Sequence, residues 1–269
     1  MPELPEVEIT RRGIEPHLKG GTITGVEVRE PRLRWAVPAE VHGLAGCTIH
    51  SVTRRAKYIL VDCGRGSLIL HLGMSGSLRI VAPGVAAAKH DHFDLTVGNK
   101  ILRLRDPRRF GAVLWTPEDP GLHRLLANLG VEPLSAAFSA ERLHAMTRGH
   151  RVAIKLFLMA AGNVVGVGNI YANESLFRAG IHPRTRAGRI SKERCARLVA
   201  EVKATLRDAI KAGGSSLRDF VQSDGSSGYA QQDYRVYGRT GEPCKVCRTP
   251  IRRAVMGQRA TFYCPRCQT

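Results

Sequence analysis

Two groups of residues, at opposite ends of a 269-residue chain, have types and spacing suited to chemistry. The chain opens Met1-Pro2-Glu3-Leu4-Pro5-Glu6-Val7-Glu8. Trimming of Met1, the usual fate of an initiator before a small residue, would make Pro2 a terminus bearing a secondary amine. An α-amino group has a pKa of about 8 against about 10.4 for lysine, so near neutral pH roughly a hundredfold more of it is free nucleophile. Condensation with an aldehyde-like carbon gives an iminium ion with no proton on nitrogen to shed. It stays positive and draws electrons from the adjacent carbon. Glu3 beside it offers a carboxyl group for proton transfer. The plainer reading of the same residues is an acidic helix start, with proline in the first turn and glutamate favoured by the helix dipole.

At the other end, four of seven cysteines form Cys244-x2-Cys247 and Cys264-x2-Cys267. This is the spacing of a four-thiolate zinc site, in which two tight knuckles are brought together by a β-hairpin. Four cysteines close the coordination shell, so the expected ion is structural. Cys47, Cys63 and Cys195 lie in apolar stretches and read as core residues. Between the cysteine pairs, Ala254 to Tyr263 reads as a hairpin turning near Gly257, with Arg259 at or near its tip. Arg259 there either reaches into a groove or solvates a turn.

The elements that must carry these groups are strongly basic. Lysine and arginine total 41 against 23 acids, a formal charge of +18, spread through the chain. That balance suits a polyanion such as nucleic acid, whose phosphates would dominate affinity. No basic-then-apolar signal and no stretch of membrane-spanning length is present, so a soluble intracellular protein without a membrane partner is expected. Leu4, Val7, Ile14 and Leu18 are spaced for an N-terminal helix. From Thr22 to about Thr116 the pattern is short strands punctuated by glycine and proline, which predicts an antiparallel sandwich or barrel. Gly98-Asn99-Lys100 marks a hairpin turn.

After Pro120 the texture turns helical, with Glu132-Pro133-Leu134-Ser135 read as the interdomain segment. Two short helices, 152–161 and 170–179, flank Gly162-Asn163-Val164-Val165-Gly166-Val167-Gly168-Asn169, whose order is not that of a nucleotide-binding loop. Glycines ahead of a helix can instead present amides to one phosphate of a polymer, with Asn169 and Lys155 as added donors. A plain helical connection is the alternative. Ser191 can cap a further helix whose stripe is Leu198, Val199, Val202, Leu206 and Ile210.

Taken together, six pieces of the chain resemble bacterial formamidopyrimidine-DNA glycosylase, a base-excision repair family, from end to end. They are Pro2-Glu3-Leu4-Pro5-Glu6-Val7, Arg54-Arg55-Ala56-Lys57-Tyr58, His71-Leu72-Gly73-Met74-Ser75-Gly76, Asp106-Pro107-Arg108-Arg109-Phe110-Gly111, Val165-Gly166-Val167-Gly168-Asn169-Ile170-Tyr171 and the cysteine module. The resemblance implies an α+β multidomain protein. Its parts would be an N-terminal β-sandwich catalytic domain (1–130), a helix-two-turns-helix DNA-binding domain (131–234) and a four-cysteine zinc finger (235–269).

It further implies a monomer acting on damaged double-stranded DNA, from which it removes 8-oxoguanine and formamidopyrimidines and then cleaves the strand. Carried over by position, Pro2 is the Schiff-base nucleophile, Glu3 a proton donor, Lys57 a proton donor in β-elimination and Arg259 the counterpart for δ-elimination. Met74, Arg108 and Phe110 match residues that enter the duplex; His90, Lys155 and Asn169 match DNA contacts. A lysine the family often has near position 150 is replaced by His150 and Arg151, with Arg151 taken as the contact. Asp91 and His92 read as loop residues, Lys57 as opening a strand, and Ser215 to Tyr237 as a loop able to close over an extruded base. Two other readings stay open: an endonuclease VIII-like enzyme for oxidised pyrimidines, and a non-enzymatic zinc-ribbon binding protein.

Overall fold

The expected N-terminal helix forms over Leu4–Leu18 (α1) in the computed structural model, which describes residues 2–214 and 234–269. Its apolar stripe is buried, with Leu4, Val7, Ile14 and Leu18 all excluded from solvent. Glu3 is the N-cap and forms a capping box with Glu6, whose carboxylate accepts the Glu3 N–H at 2.8 Å. Glu3, one of the two residues proposed for chemistry at the chain start, is therefore fixed by helix-capping geometry.

The strands that follow are β1 (Ile23–Val28), β2 (Ser51–Arg55), β3 (Tyr58–Asp62), β4 (Ser67–His71), β5 (Ser77–Val81), β6 (Asp91–Val97), β7 (Lys100–Arg105) and β8 (Ala112–Thr116). They build two four-stranded antiparallel sheets, ordered β1-β6-β7-β5 and β2-β3-β4-β8. Val52, Ile59, Val61, Leu68 and Leu70 of one sheet share a core cluster with Leu78, Phe93, Leu95, Leu102 and Leu104 of the other. α1 packs on β2, β3 and β5 and adds Ile14 and Leu18 to that cluster. This is the expected sandwich with its flanking helix. Gly98 takes φ 56° at the two-residue turn between β6 and β7, a conformation that glycine adopts without steric cost.

Two expectations need correction here. Asp91 and His92 are not loop residues; they open β6 and are buried. The Asp91 carboxylate accepts the Ala88 N–H at 2.8 Å and faces Arg103 and Arg105 at 3.7 and 3.6 Å. His92 Nε2 meets the Asp106 carbonyl at 2.9 Å. Lys57 does not open a strand either. It lies with Ala56 in the turn between β2 and β3, where Ala56 adopts φ 54°.

The described residues fall into two compact units, one built mainly of 2–127 and the other of 128–211 and 234–269. The second unit contains α2 (Ala140–Thr147), α3 (Ile154–Met159), α4 (Asn169–Arg178), α5 (Lys192–Lys211) and the hairpin β9 (Arg252–Met256) and β10 (Arg259–Tyr263). α3 and α4 are the two short helices expected around the glycine-rich turn, and α5 carries the expected stripe with Leu198, Val199, Val202 and Leu206 buried. α4 packs on α5, α3 and β10. Among the described residues no helix is long and apolar enough to cross a membrane. The loop expected over 215–237 lies, as far as residue 233, outside the described residues.

Candidate nucleic-acid interface, catalytic groups and metal centre

In the first unit the predicted catalytic residues sit on α1 and the β2–β3 turn, which are tied together by charge. Pro2 and Glu3 are buried at the N-terminus of α1. The partial positive charge of a helix N-terminus favours a carboxylate there and disfavours a protonated amine. Further along the helix, Glu8 pairs with Arg11 at 3.0 Å, with Arg12 at 2.7 Å and with Arg54 at 3.1 Å. Burial opposes ionisation of Glu8, but these guanidiniums hold its carboxyl below the usual carboxylate range. Arg54 also donates to the Ala56 carbonyl at 2.8 Å. One arginine thus ties the turn bearing Lys57 to the helix bearing Pro2 and Glu3.

His71 ends β4 opposite Tyr58, with ring centroids 4.8 Å apart. Burial and the nearby cations Arg34 and Lys57 push its pKa down to about 4, so the ring is neutral. Its Nδ1 accepts the Gly73 N–H at 3.0 Å and so is unprotonated. Met74 follows on the same loop, half-buried. Arg108 and Phe110 are exposed on the 106–111 loop, with the Arg108 guanidinium 5.0 Å above the Phe110 ring. Phe110 is 42% exposed, a large aromatic ring left open to solvent beneath the Arg108 guanidinium. His90 is half-buried beside them, its carbonyl accepting the Asp106 N–H at 2.9 Å.

In the second unit Lys155 is completely buried on α3. Its ammonium donates to the Thr261 hydroxyl at 2.6 Å and the Ala260 carbonyl at 3.0 Å. Asn169, first residue of α4, donates from Nδ2 to the same Ala260 carbonyl at 3.0 Å, while its Oδ1 is buried without a hydrogen-bond partner among the described residues. Arg151 and His150 are exposed ahead of α3, the His150 ring edge-on to Phe157 at 5.2 Å. The β9–β10 turn is Gly257-Gln258, with φ of 52° and 59°, as a two-residue primed turn requires. Arg259 opens β10 immediately after it and is exposed.

The finger is anchored by a residue that carries no sequence motif. The Glu174 carboxylate on α4 accepts the N–H groups of Arg235, Val236 and Tyr237 at 2.9, 3.0 and 2.8 Å. Asn173 beside it accepts the Phe262 N–H at 2.9 Å. Their partners lie 61 to 89 residues away in sequence, so no local pattern could have exposed them.

The Sγ atoms of Cys244, Cys247, Cys264 and Cys267 all lie within 4.8 Å of one another. Cys244 and Cys267 approach to 3.9 Å, Cys247 and Cys264 to 3.4 Å. Zinc–sulfur bonds of about 2.3 Å in a tetrahedron set sulfurs about 3.8 Å apart, so this donor set fits one zinc ion with a closed shell. The Val246 and Cys267 amides point at the sulfurs of Cys244 and Cys264 at 3.4 Å, orienting both knuckles. The remaining thiols are of another kind. Cys63 and Cys195 are buried, and burial pushes Cys63 up to about 11.

Profiles of the formamidopyrimidine-DNA glycosylase N-terminal domain and H2TH domain match residues 1–113 and 129–221, and a zinc finger found in FPG and IleRS matches 241–269. The formamidopyrimidine-DNA glycosylase of Aromatoleum aromaticum is 60% identical over 269 residues, covering 100% of this chain and 99% of that one. The chain belongs to the formamidopyrimidine-DNA glycosylase family. It is a DNA glycosylase of base-excision repair, with four cysteines positioned for one zinc ion. Two solved structures of the Lactococcus lactis family member are similar throughout. One holds abasic-site DNA (34% identity, TM-score 0.90, 99% of each chain), the other DNA with an oxidised pyrimidine (34%, 0.90, 100% of each).

Proposed function

We propose that this glycosylase excises oxidised purines, 8-oxoguanine and formamidopyrimidines, from duplex DNA and then cleaves the abasic strand. The carrying observation is the placement of Pro2 and Glu3, buried and adjacent at a capped helix N-terminus that Arg54 ties to the Lys57 turn. A base stacked in a duplex hides C1′, so the nucleotide must rotate out, at a cost of about a few kcal/mol. Met74 and Phe110 fill the vacated stack and Arg108 hydrogen-bonds the orphaned partner base.

The Pro2 amine, freed of Met1, attacks C1′ as the base leaves with a proton supplied through Glu3. Cleavage of the C1′–O4′ bond, with a proton going to O4′, opens the sugar ring and gives the iminium. This acidifies the C2′ proton, whose removal expels the 3′ phosphate, with Lys57 serving as proton donor. A second elimination, assisted by Arg259, expels the 5′ phosphate. A one-nucleotide gap with phosphates at both ends remains. Arg151, His90, Lys155 and Asn169 serve the DNA backbone, Lys155 by holding the carbonyl edge of β10 in place. The working domains are 1–130, 131–234 and 235–269, and the protein acts as a monomer in the bacterial cytoplasm on nucleoid DNA.

Borohydride reduction tests the covalent step. Mature protein should be trapped on duplexes containing 8-oxoguanine or an abasic site. Pro2→Gly should weaken trapping, and Glu3→Gln should chiefly impair base release. Undiminished trapping by protein with an acetylated N-terminus would remove Pro2 from the role. Because a solved relative holds an oxidised pyrimidine, the same assay includes a duplex carrying one. Preferential cleavage there would favour the endonuclease VIII-like reading.

A further inference from the structure

Met74 and the pair Arg108 and Phe110 lie on separate loops, and a single buried carboxylate joins the two. Asp106 is completely excluded from solvent. Its Oδ1 accepts the Ser75 hydroxyl at 2.8 Å and the Arg108 N–H at 3.2 Å; its Oδ2 accepts the Gly111 N–H at 2.7 Å. The Asp106 main chain is held as firmly. Its carbonyl meets His92 Nε2 at 2.9 Å and accepts the Arg109 N–H at 3.2 Å, while its own N–H reaches the His90 carbonyl at 2.9 Å.

The two loops are also in backbone contact. A Cβ on Gly73 would come within 2.3 Å of the Phe110 carbonyl carbon, and one on Gly111 within 2.8 Å of the His71 carbonyl oxygen. Arg109 is held at φ 55°, a conformation that side chains rarely adopt without support from their surroundings. Most of these interactions lie within or between the loops that carry Met74, Arg108 and Phe110.

We propose that Asp106 and Ser75 are positioning residues that lock the two loops into one rigid wedge, so that Met74, Arg108 and Phe110 enter the duplex as a unit. This rests on the reading of those three residues as the ones that enter. A wedge must hold its shape while stacked bases are forced apart, and apolar tips on independently moving loops would lose ordering entropy on insertion. The Ser75 hydroxyl is the side-chain link between the loops. Removing it leaves the bonds from Asp106 to Arg108 and Gly111 intact.

The test compares wild type, Ser75→Ala and Asp106→Asn on an 8-oxoguanine duplex and on a single-stranded abasic oligonucleotide, which has no stack to open. Loss of one buried hydrogen bond is expected to lower the duplex-to-single-strand rate ratio about tenfold in Ser75→Ala, and further in Asp106→Asn. Met74→Ala and Phe110→Ala should be non-additive in the native background and additive when combined with Ser75→Ala. An equal loss on both substrates, or non-additivity that survives Ser75→Ala, would reduce Asp106 to a structural residue. An active wild type with unaffected Ser75→Ala overturns the wedge alone. A wild type inactive on both substrates overturns the functional reading and the wedge with it.

Discussion

Lys57 and Arg259 are both long cations on two-residue hairpin turns or their edges, yet they are expected to fail differently when removed. Lys57 lies near His71, in the turn clamped by Arg54 and in the unit that holds Pro2. Lys57→Ala should slow 8-oxoguanine excision far more than cleavage of a preformed abasic site, measured by single-turnover kinetics on both. Arg259 is exposed at the start of β10, suited to a phosphate or leaving group. Arg259→Ala should weaken duplex binding, reduce the slope of log affinity against log salt by about one unit, and slow the second elimination.

His71 adds a pH dependence. Its folded pKa, about 4, lies below the ordinary histidine value, so between about 6.5 and 4 the unfolded chain binds the extra proton first. Its contribution is therefore full near neutrality and falls as the pH drops through that window. Protonation would also remove the acceptor for the Gly73 N–H and loosen the loop carrying Met74. Melting temperatures from pH 7 to 4.5 should fall less steeply in His71→Gln than in wild type.

At the level of elements, the finger depends on two kinds of anchor. Zinc binding and folding of such a module are coupled, so strong chelation or Cys244→Ser should disorder it and reduce DNA binding. A metal content near zero in active protein would contradict this. Glu174→Gln should act from the other side. It replaces one acceptor oxygen by a donor against three amides, a loss of about 1–3 kcal/mol in stability, read by calorimetry and by faster zinc release to a chelator.

How legible these elements were in sequence follows from the range of their contacts. The cysteine knuckles, the Gly257 turn and the α5 stripe are local patterns, and each forms where its spacing indicated. Lys57 was misplaced because Ala56 occupies a left-handed turn position with no glycine or asparagine to announce it. Asp91 and His92 read as loop residues in sequence because their partners, Arg103, Arg105 and the Asp106 carbonyl, come from other strands and loops. Asp106 and Ser75 stand inside recognised motifs, but only three-dimensional contact gives them a task distinct from their neighbours.

For the whole molecule, a charge of +18 spread through the chain makes the solution conditions part of its function. If six to ten phosphates are engaged, duplex affinity should drop by roughly 10³ to 10⁵ between about 50 and about 200 mM salt. Fluorescence anisotropy across that range would measure it. A flat response would mean that the cations are a solvated surface rather than a footprint. Excision at saturating enzyme should be far less sensitive, because chemistry on a bound duplex does not repeat the ion release.

The three-amide grip of Glu174 has a consequence for how this chain can change over time. Arg235, Val236 and Tyr237 are held by a helix residue, so the point at which the finger begins is set by α4 and not by the length of chain that precedes it. Residues inserted or deleted ahead of Arg235 are thereby isolated from the Cys244 knuckle and from Arg259. A change in chain length before the clamp would therefore leave the metal module in register with α4.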